Sequence, residues 1–388
     1  MTTPGYWTEK EAARRLEAQF AFLAEADRLK SVERANVLLD LSRPENSAEH
    51  SWHVALHALI FGATDRAIAM ILLHDLVEID VGDQPIHLEH DAEALQAAEA
   101  RAAGRIFGLS PDGAALLDLW REFEAGATPD AAMAKRMDHG QPLFQVLMAP
   151  APLPGHVGIV RDNLAGGRAA RLRQEWPEAV ALAEALLAGR AMPPGDLARR
   201  LTFLAEADRL KSVCRANTLM DGSRPENSGE HSWHLALHAL ALADQAGEGV
   251  DIGRVIRMLL IHDLVEIDVG DVPLHSAGGQ AHGSAGIQTA ELAAARRIFG
   301  LLPAVQGAEL LALWQEFEAA ATPDAIFAKA LDRCQPVLQN LGSGGAGWVE
   351  YDVTFAQVES RVGAKIARGA PDLWQWLRRR VRDHFDRA

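Results

Sequence analysis

The sequence predicts an all-α protein of two tandem helical bundles, and three observations carry that reading. Its 388 residues exceed what one hydrophobic core organises, since single cores stop growing near roughly 250 to 300 residues. With 48% hydrophobic and 23% charged residues, and heavy use of Ala, Leu, Glu and Arg, the composition is globular and favours helix over strand. The third observation is a repeat. FLAEADRLKSVERAN, starting at Phe22, returns from Phe203 as FLAEADRLKSVCRAN, with Glu33 against Cys214 as the sole change.

The repeat continues through SRPENSAEHSWH from Ser42 and SRPENSGEHSWH from Ser223, then through HDLVEIDVGD from His74 and from His262. The second copy gains DQAGEGVD and, after His275, the Gly/Ser-rich SAGGQAHGSAG, before RIFGL, LWxEFEA, ATPDA and AKxxD recur in both. Each copy is domain-sized, far longer than a solenoid unit of about 20 to 50 residues. The boundaries read as an N-terminal extension over residues 1–19, a first copy over 20–190 and a second over 197–388. GRAMPPGD forms the joint, where Pro and Gly punctuate the end of a helix.

Within each copy the spacing of apolar residues is helical. AEHSWHVALHALIF reads as a helix with Ser47 as its N-cap, and RAIAMILLHDLVEID as one continuous helix, apolar nearly all round and therefore central. PEAVALAEALLAG, AELLALWQEFEA and PDAIFAKALDRCQPVLQ add further helices, and no βαβ rhythm appears.

Charge and cysteine content narrow the function. A formal net charge of −15 excludes a general affinity for nucleic-acid polymers, so a phosphate substrate requires a local cationic site. Cys214 and Cys334 cannot build a disulfide framework and imply no thiol chemistry. Without a long apolar run or a signal-peptide core, the expectation is a cytoplasmic protein with no membrane partner.

One constellation carries chemistry: a His, an adjacent His-Asp pair, and a distant Asp on a third helix. These are His50, His74, Asp75 and Asp138 in the first copy, and His231, His262, Asp263 and Asp332 in the second. Two imidazoles and two carboxylates suit Mn, Fe, Co, Ni or Zn, one ion per copy, rather than the all-oxygen preference of Ca. Four protein ligands leave positions for water and substrate, as catalytic sites require. On one helix Glu78 would share the face of His74 and Asp75 as a proton-transfer group, and Asp83, in a turn made by Gly82, would orient water. Glu266 and Asp271 are their counterparts.

These motifs, RPENSxEHS, HDLVEIDVGD and F/M-A-K-x-x-D, resemble those of the HD-domain 5′-deoxynucleotidases. The resemblance covers most of each copy. It implies a fold of five or more helices, a divalent metal such as cobalt or manganese, and hydrolysis of 5′-deoxynucleoside monophosphates. It implies metal ligation by the eight His and Asp residues, catalysis by Glu78, Asp83, Glu266 and Asp271, and phosphate contact by Arg34 and Arg215. The family often has an aromatic residue after that arginine, where this chain has Ala35 and Ala216. The first copy also departs after Asp138, running into MAPAPLPGHVG, and lacks the insertion that would serve the second as a lid.

Alternatives stand beside these readings. Arg43 and Arg224 either grip substrate phosphate or pair with Glu45 and Glu226 to fix their loop. His53, His57, His234 and His238 read as core residues, or as groups supporting the metal ligands. His87 and His275 read as solvent-facing, or as extra ligands. With extra histidine ligands the constellation would suit a di-iron oxygenase. Another nucleotide phosphohydrolase is a further enzymatic rival, and a first copy that is only a structural or regulatory partner of the second is the non-enzymatic one. Two domains of this kind would pair inside one chain as a pseudo-dimer.

Overall fold

The computed structural model of the chain describes residues 7–85, 88, 91–273 and 285–387. Two helical bundles follow one another on the same plan. In the first, α1 (Glu9–Asp27) leads into a hairpin of β1 (Glu33–Val37) and β2 (Pro44–Asn46). Then come α2 (Ser47–Ile60), α3 (Asp65–Leu73), α4 (Ala92–Phe107), α5 (Gly113–Ala125), α6 (Pro129–Leu147), α7 (Pro154–Gly166) and α8 (Pro177–Leu187). The second contains α9 (Asp196–Ala207), β3 (Cys214–Thr218), β4 (Pro225–Asn227), α10 (Ser228–Ala241) and α11 (Ile252–Ile261). It continues with α12 (Ala285–Phe299), α13 (Ala304–Ala319), α14 (Pro323–Gly342) and, after several short helical turns, α15 (Pro371–Phe385).

Local chemistry explains four departures from the sequence reading. The hairpins pair Glu33 with Asn46 and Cys214 with Asn227, in strands too short to show alternation. Asn46, not Ser47, caps α2: its side chain accepts from the Ala48 and Glu49 amides while Glu49 returns to the Asn46 N–H at 2.7 Å. The helix expected through His74 breaks there. His74 Nδ1 donates to the Ile71 carbonyl at 2.6 Å, competing with the backbone ladder, so residues His74–Val77 form a 3₁₀ turn before the short helix Glu78–Val81. Finally, α1 runs unbroken past residue 19, so the expected end of the N-terminal extension falls inside a helix.

The buried apolar residues of both halves join in one continuous core, where two separate cores were expected. The reason is that α2 and α10 are buried on nearly every face and pack against each other. Flanking helices cross over: α1 packs on α10 and α9 on α2. Gln19 on α1 donates to the Ala241 carbonyl at 2.8 Å. Trp52 on α2 donates to the Leu260 carbonyl of α11 at 3.0 Å, and Trp233 on α10 donates to the Leu72 carbonyl of α3 at 3.1 Å.

Charge is buried with this contact. Lys30, just after α1, reaches Glu226 of the second half at 2.7 Å, and Lys211 reaches Glu45 of the first at 2.6 Å. Both lysines are 1% exposed and both glutamates 0%. Removing one partner of such a pair typically costs roughly 3–5 kcal/mol, because the other is left buried and uncompensated. Burial opposes charge on Glu226, yet Lys30 and then His231 hold its carboxyl well below the usual 4.5. A carboxylate depressed in this way stabilises the fold above its unfolded pKa, and the contribution is lost as pH falls below it. Between about pH 6 and pH 3 the wild type should therefore lose more unfolding free energy than Glu226→Gln, read from urea midpoints; equal losses would contradict the assignment.

Candidate metal centre

Three elements converge on one point in each half. His50 comes from the second turn of α2, His74 and Asp75 from the turn after α3, and Asp138 from the middle of α6. Pro142 lies four residues after Asp138 on α6, and Pro336 four after Asp332 on α14, so each removes the amide that would bond to the aspartate's own carbonyl. In the first half His50 Nε2 lies 3.4 Å from Asp138 and 3.9 Å from Asp75, while His74 Nε2 lies 3.1 Å from Asp75 and 3.6 Å from Asp138. The second half repeats this: His231 Nε2 is 3.6 Å from Asp332 and 3.9 Å from Asp263, and His262 Nε2 is 3.0 Å from Asp263. All eight residues expected as ligands are thus gathered into two clusters.

The tautomers test whether a cation fits. His262 Nδ1 donates to the Leu259 carbonyl at 2.9 Å, as His74 does to Ile71, and His231 Nδ1 to Glu226 at 3.1 Å. Each ring therefore turns an Nε2 lone pair towards aspartate oxygens, and the Nε2 atoms of His74, His231 and His262 are buried with no hydrogen-bond partner. Lone pairs facing carboxylates repel unless a proton or a cation lies between them. At His50 a proton is drawn in: burial and Arg34 oppose charge on the ring, but Asp138 and Glu45 outweigh them and raise it to about 9. A divalent transition ion satisfies the same donor set without that proton.

The rings are also held from behind. Phe123 meets His74 edge-on at 5.1 Å, with the Lys135 ammonium 4.4 Å from the Phe123 ring centre; Phe317 and Lys329 repeat the stack on His262 at 5.1 and 3.8 Å.

The other expected groups divide. Arg34, on β1, places Nη1 3.1 Å from Asp75, 3.4 Å from Glu78 and 3.4 Å from Asp83, and Arg215 on β3 stands 2.7 Å from Asp263. Burial and then Asp75 push Glu78 up to about 8 against the opposing Arg34 charge, and Glu266 is raised in the same way. Asp83 accepts from the Ala35 amide at 3.3 Å, and Gly82 makes the turn that brings it there with φ of 73°, a left-handed value that favours glycine. Ser47, expected to cap α2, instead donates to Glu78 at 2.5 Å, as Ser228 does to Glu266.

Arg43 and Arg224 are not at the site. Each grips a capping-box glutamate with both nitrogens, Arg43 on Glu49 at 2.6 and 2.8 Å, and reaches the backbone of the opposite half at Lys211 or Lys30. Their partners are Glu49 and Glu230 rather than Glu45 and Glu226, and neither arginine lines a cavity over the clusters. His53 Nε2 donates to the Leu204 carbonyl at 3.0 Å while its Nδ1 faces Lys211 at 3.1 Å, and His234 makes the equivalent contacts, so in both rings each nitrogen has a protein partner. His57 and His238 donate to the carbonyls of His53 and His234. His87, His275 and the expected lid lie outside the described residues.

A cavity opens over each cluster, about 890 Å³ in the first half and 320 Å³ in the second. The cations that the net charge demanded line both: Lys135, Arg168 and Arg171 in the first, Lys329, Arg333 and Lys365 in the second. Sequence reasoning missed these: Arg168, Arg171, Arg333 and Lys365 stand where the copies differ, and Lys135 and Lys329, though shared in AKxxD, were read only as part of the motif that carries the aspartate. It also missed Lys30, Lys211 and the two serines, although their identity in both copies was a usable signal. Among the described residues no helix is long and apolar enough to cross a membrane.

Fold and clusters together define an all-helical protein carrying two candidate divalent-cation sites. Residues 26–180 and 207–374 match the family described as HD domain, and the chain belongs to it. It is 31% identical over 141 residues to 5′-deoxynucleotidase HDDC2 of Homo sapiens, a match covering 36% of this chain and 65% of that protein. It is 25% identical over 138 residues to 5′-deoxynucleotidase hdd1 of Schizosaccharomyces pombe, covering 35% of this chain and 68% of that one. The chain thus spans just under two thirds of the human relative's length. A crystal structure named as a predicted metal-dependent phosphohydrolase of Magnetospirillum magnetotacticum is 46% identical, covering 51% of this chain and 96% of that one, with a TM-score of 0.47.

The orphaned nitrogens generate a prediction. Adding Mn(II) to chelator-stripped protein should stabilise it by about 2.7 kcal/mol at one hundred times Kd for each occupied site, seen as a raised Tm. The double variant Asp75→Asn, Asp263→Asn should show no such shift.

Proposed function

We propose that this protein is a metal-dependent phosphomonoesterase acting on (deoxy)nucleoside 5′-monophosphates, with one divalent transition ion, Co, Mn, Fe, Ni or Zn, in each half. The observation that carries the reading is the grouping of Arg34, Glu78 and Asp83 beside the His-Asp cluster under an open cavity, repeated by Arg215, Glu266 and Asp271. The names of the curated relatives support the substrate class. Bound among His50, His74, Asp75 and Asp138, or their counterparts, the ion supplies Lewis acidity towards water and a phosphoryl oxygen.

The residues around it supply the rest. Arg34 and Arg215 meet the negative charge that builds on the phosphate, releasing the carboxylates they hold in the free protein. Asp83, fixed by the Ala35 amide, orients the attacking water and accepts its proton. Glu78, lifted towards neutrality and steadied by Ser47, delivers a proton to the departing 5′-oxygen. The pocket cations raise the local concentration of an anionic substrate despite the acidic chain. Residues 20–190 and 197–388 act together as an intramolecular pseudo-dimer, a reading supported by the crossed packing of α1 and α9.

Protein loaded with Mn or Co should release inorganic phosphate from dAMP or dGMP, and silence across a panel of nucleotides would sink the proposal. Arg215→Ala in an Asp75→Ala background should lower kcat by about 10² to 10³, the usual loss for one group stabilising developing charge. Asp75→Ala and Asp263→Ala should each remove part of the turnover and together all of it. If Asp75→Ala leaves turnover untouched, the first half is a structural partner only.

A further inference from the structure

We infer that each cluster is positioned in trans: Lys30 of the first half holds the carboxylate that orients His231 in the second, and Lys211 of the second half does the same for His50 in the first. The inference rests on the metal-site reading above and assigns to it two positioning residues from opposite halves of the chain.

The line of contacts is hydrogen-bonded throughout as far as His231, while for His50 its last step, from Glu45 to the ring, is a close approach rather than an aligned hydrogen bond. Lys30 Nζ donates to Asp27, to Glu226 Oε1 at 2.7 Å and towards His234 Nδ1 at 3.0 Å, so all three ammonium hydrogens are used. The other oxygen of Glu226 accepts from His231 Nδ1 at 3.1 Å, which fixes the tautomer and aims Nε2 at Asp332. On the other side Lys211 Nζ donates to Asp208, to Glu45 Oε1 at 2.6 Å and to Gln145 at 3.2 Å, and faces His53 Nδ1 at 3.1 Å. Glu45 Oε2 stands 3.3 Å from His50 Nδ1.

A buried lysine is costly to desolvate, and a purely apolar contact between α2 and α10 would not need one. Its placement makes sense as the counter-charge that lets a glutamate stay ionised behind a histidine. A separate bond reinforces the crossing. Trp52 of the first half holds the Leu260 carbonyl two residues before His262, and Trp233 of the second holds Leu72 two before His74. Each half thus steadies both histidines of the other.

The two sites do not depend equally on their lysines. Glu226 Oε1 also accepts from Gln335 at 2.8 Å and Gln339 at 2.7 Å. In the first half the corresponding glutamines turn elsewhere, Gln141 to His53 and Gln145 to the Val37 carbonyl. The first site therefore leans harder on Lys211 than the second does on Lys30.

The test is Mn(II) affinity of the full chain, measured by electron paramagnetic resonance of free Mn(II) after chelator treatment. Two parent chains each keep one site: Asp263→Asn retains the first and Asp75→Asn the second. In the Asp263→Asn parent, Lys211→Met should weaken binding about tenfold or more, within the 10–100-fold usual for groups supporting metal ligands, while Lys30→Met stays within about twofold. In the Asp75→Asn parent the order reverses, with a smaller loss for Lys30→Met. The lysines occupy equivalent places at one contact, so general weakening of the fold would move both affinities together; equal losses, or a lysine acting on its own half, overturn the proposal. Should the Met variants not fold, Lys211→Arg and Lys30→Arg keep the charge, shift the donor and are judged by the same crossed pattern. If neither parent binds Mn(II), the metal reading itself fails and this inference with it.

Discussion

The contact between α2 and α10 sets the terms for everything else, because it buries ionised groups along with apolar ones. A helix carrying Glu49, His50, His53 and His57 within three turns cannot lie in a core unless each group finds a partner there. Some of those partners come from across the contact, Leu204 and Lys211 for His53 and Asn227 for Glu49. Asn46 donates to Glu230 at 2.8 Å and Asn227 to Glu49 at 2.7 Å, so the capping-box glutamate of each helix, already bonded to its own N-cap, also accepts from the other's asparagine. The two helix starts are thereby tied to each other by side-chain bonds as well as by packing.

Much of this was legible in the sequence and some was not, for reasons that differ by residue. The eight His and Asp residues were visible because adjacency and repetition mark them, and Gly82 because a tight turn before Asp83 needs it. That the elements are helices followed from composition and spacing. The end of α3 did not, since it depends on a histidine side chain bonding back to its own backbone. Nor did the fate of Arg43 and Arg224: an arginine beside Pro-Glu-Asn looks equally suited to phosphate or to a carboxylate, and only the approach of the opposite half decides. Lys30 and Lys211 drew no reading beyond their place in the repeat, because burial by a partner leaves no trace in local pattern.

The same architecture explains how an acidic chain can receive an anionic ligand. The carboxylates of each cluster are balanced at short range by Arg34 or Arg215, and the pocket cations stand further out along the cavity walls. Over a Debye length of about 8 Å at physiological salt, those nearby charges outweigh the distant net charge.

Carrying both halves on one chain has a final consequence. In an assembly of two identical subunits every change in a pocket appears twice, and a change that suits one surface must suit its mirror image. Here His139 lines one cavity where Arg333 lines the other, and the first cavity has nearly three times the volume of the second. On a single chain each pocket can vary singly while the shared centre stays nearly symmetric, so the two cavities can differ in size and lining around one undivided core.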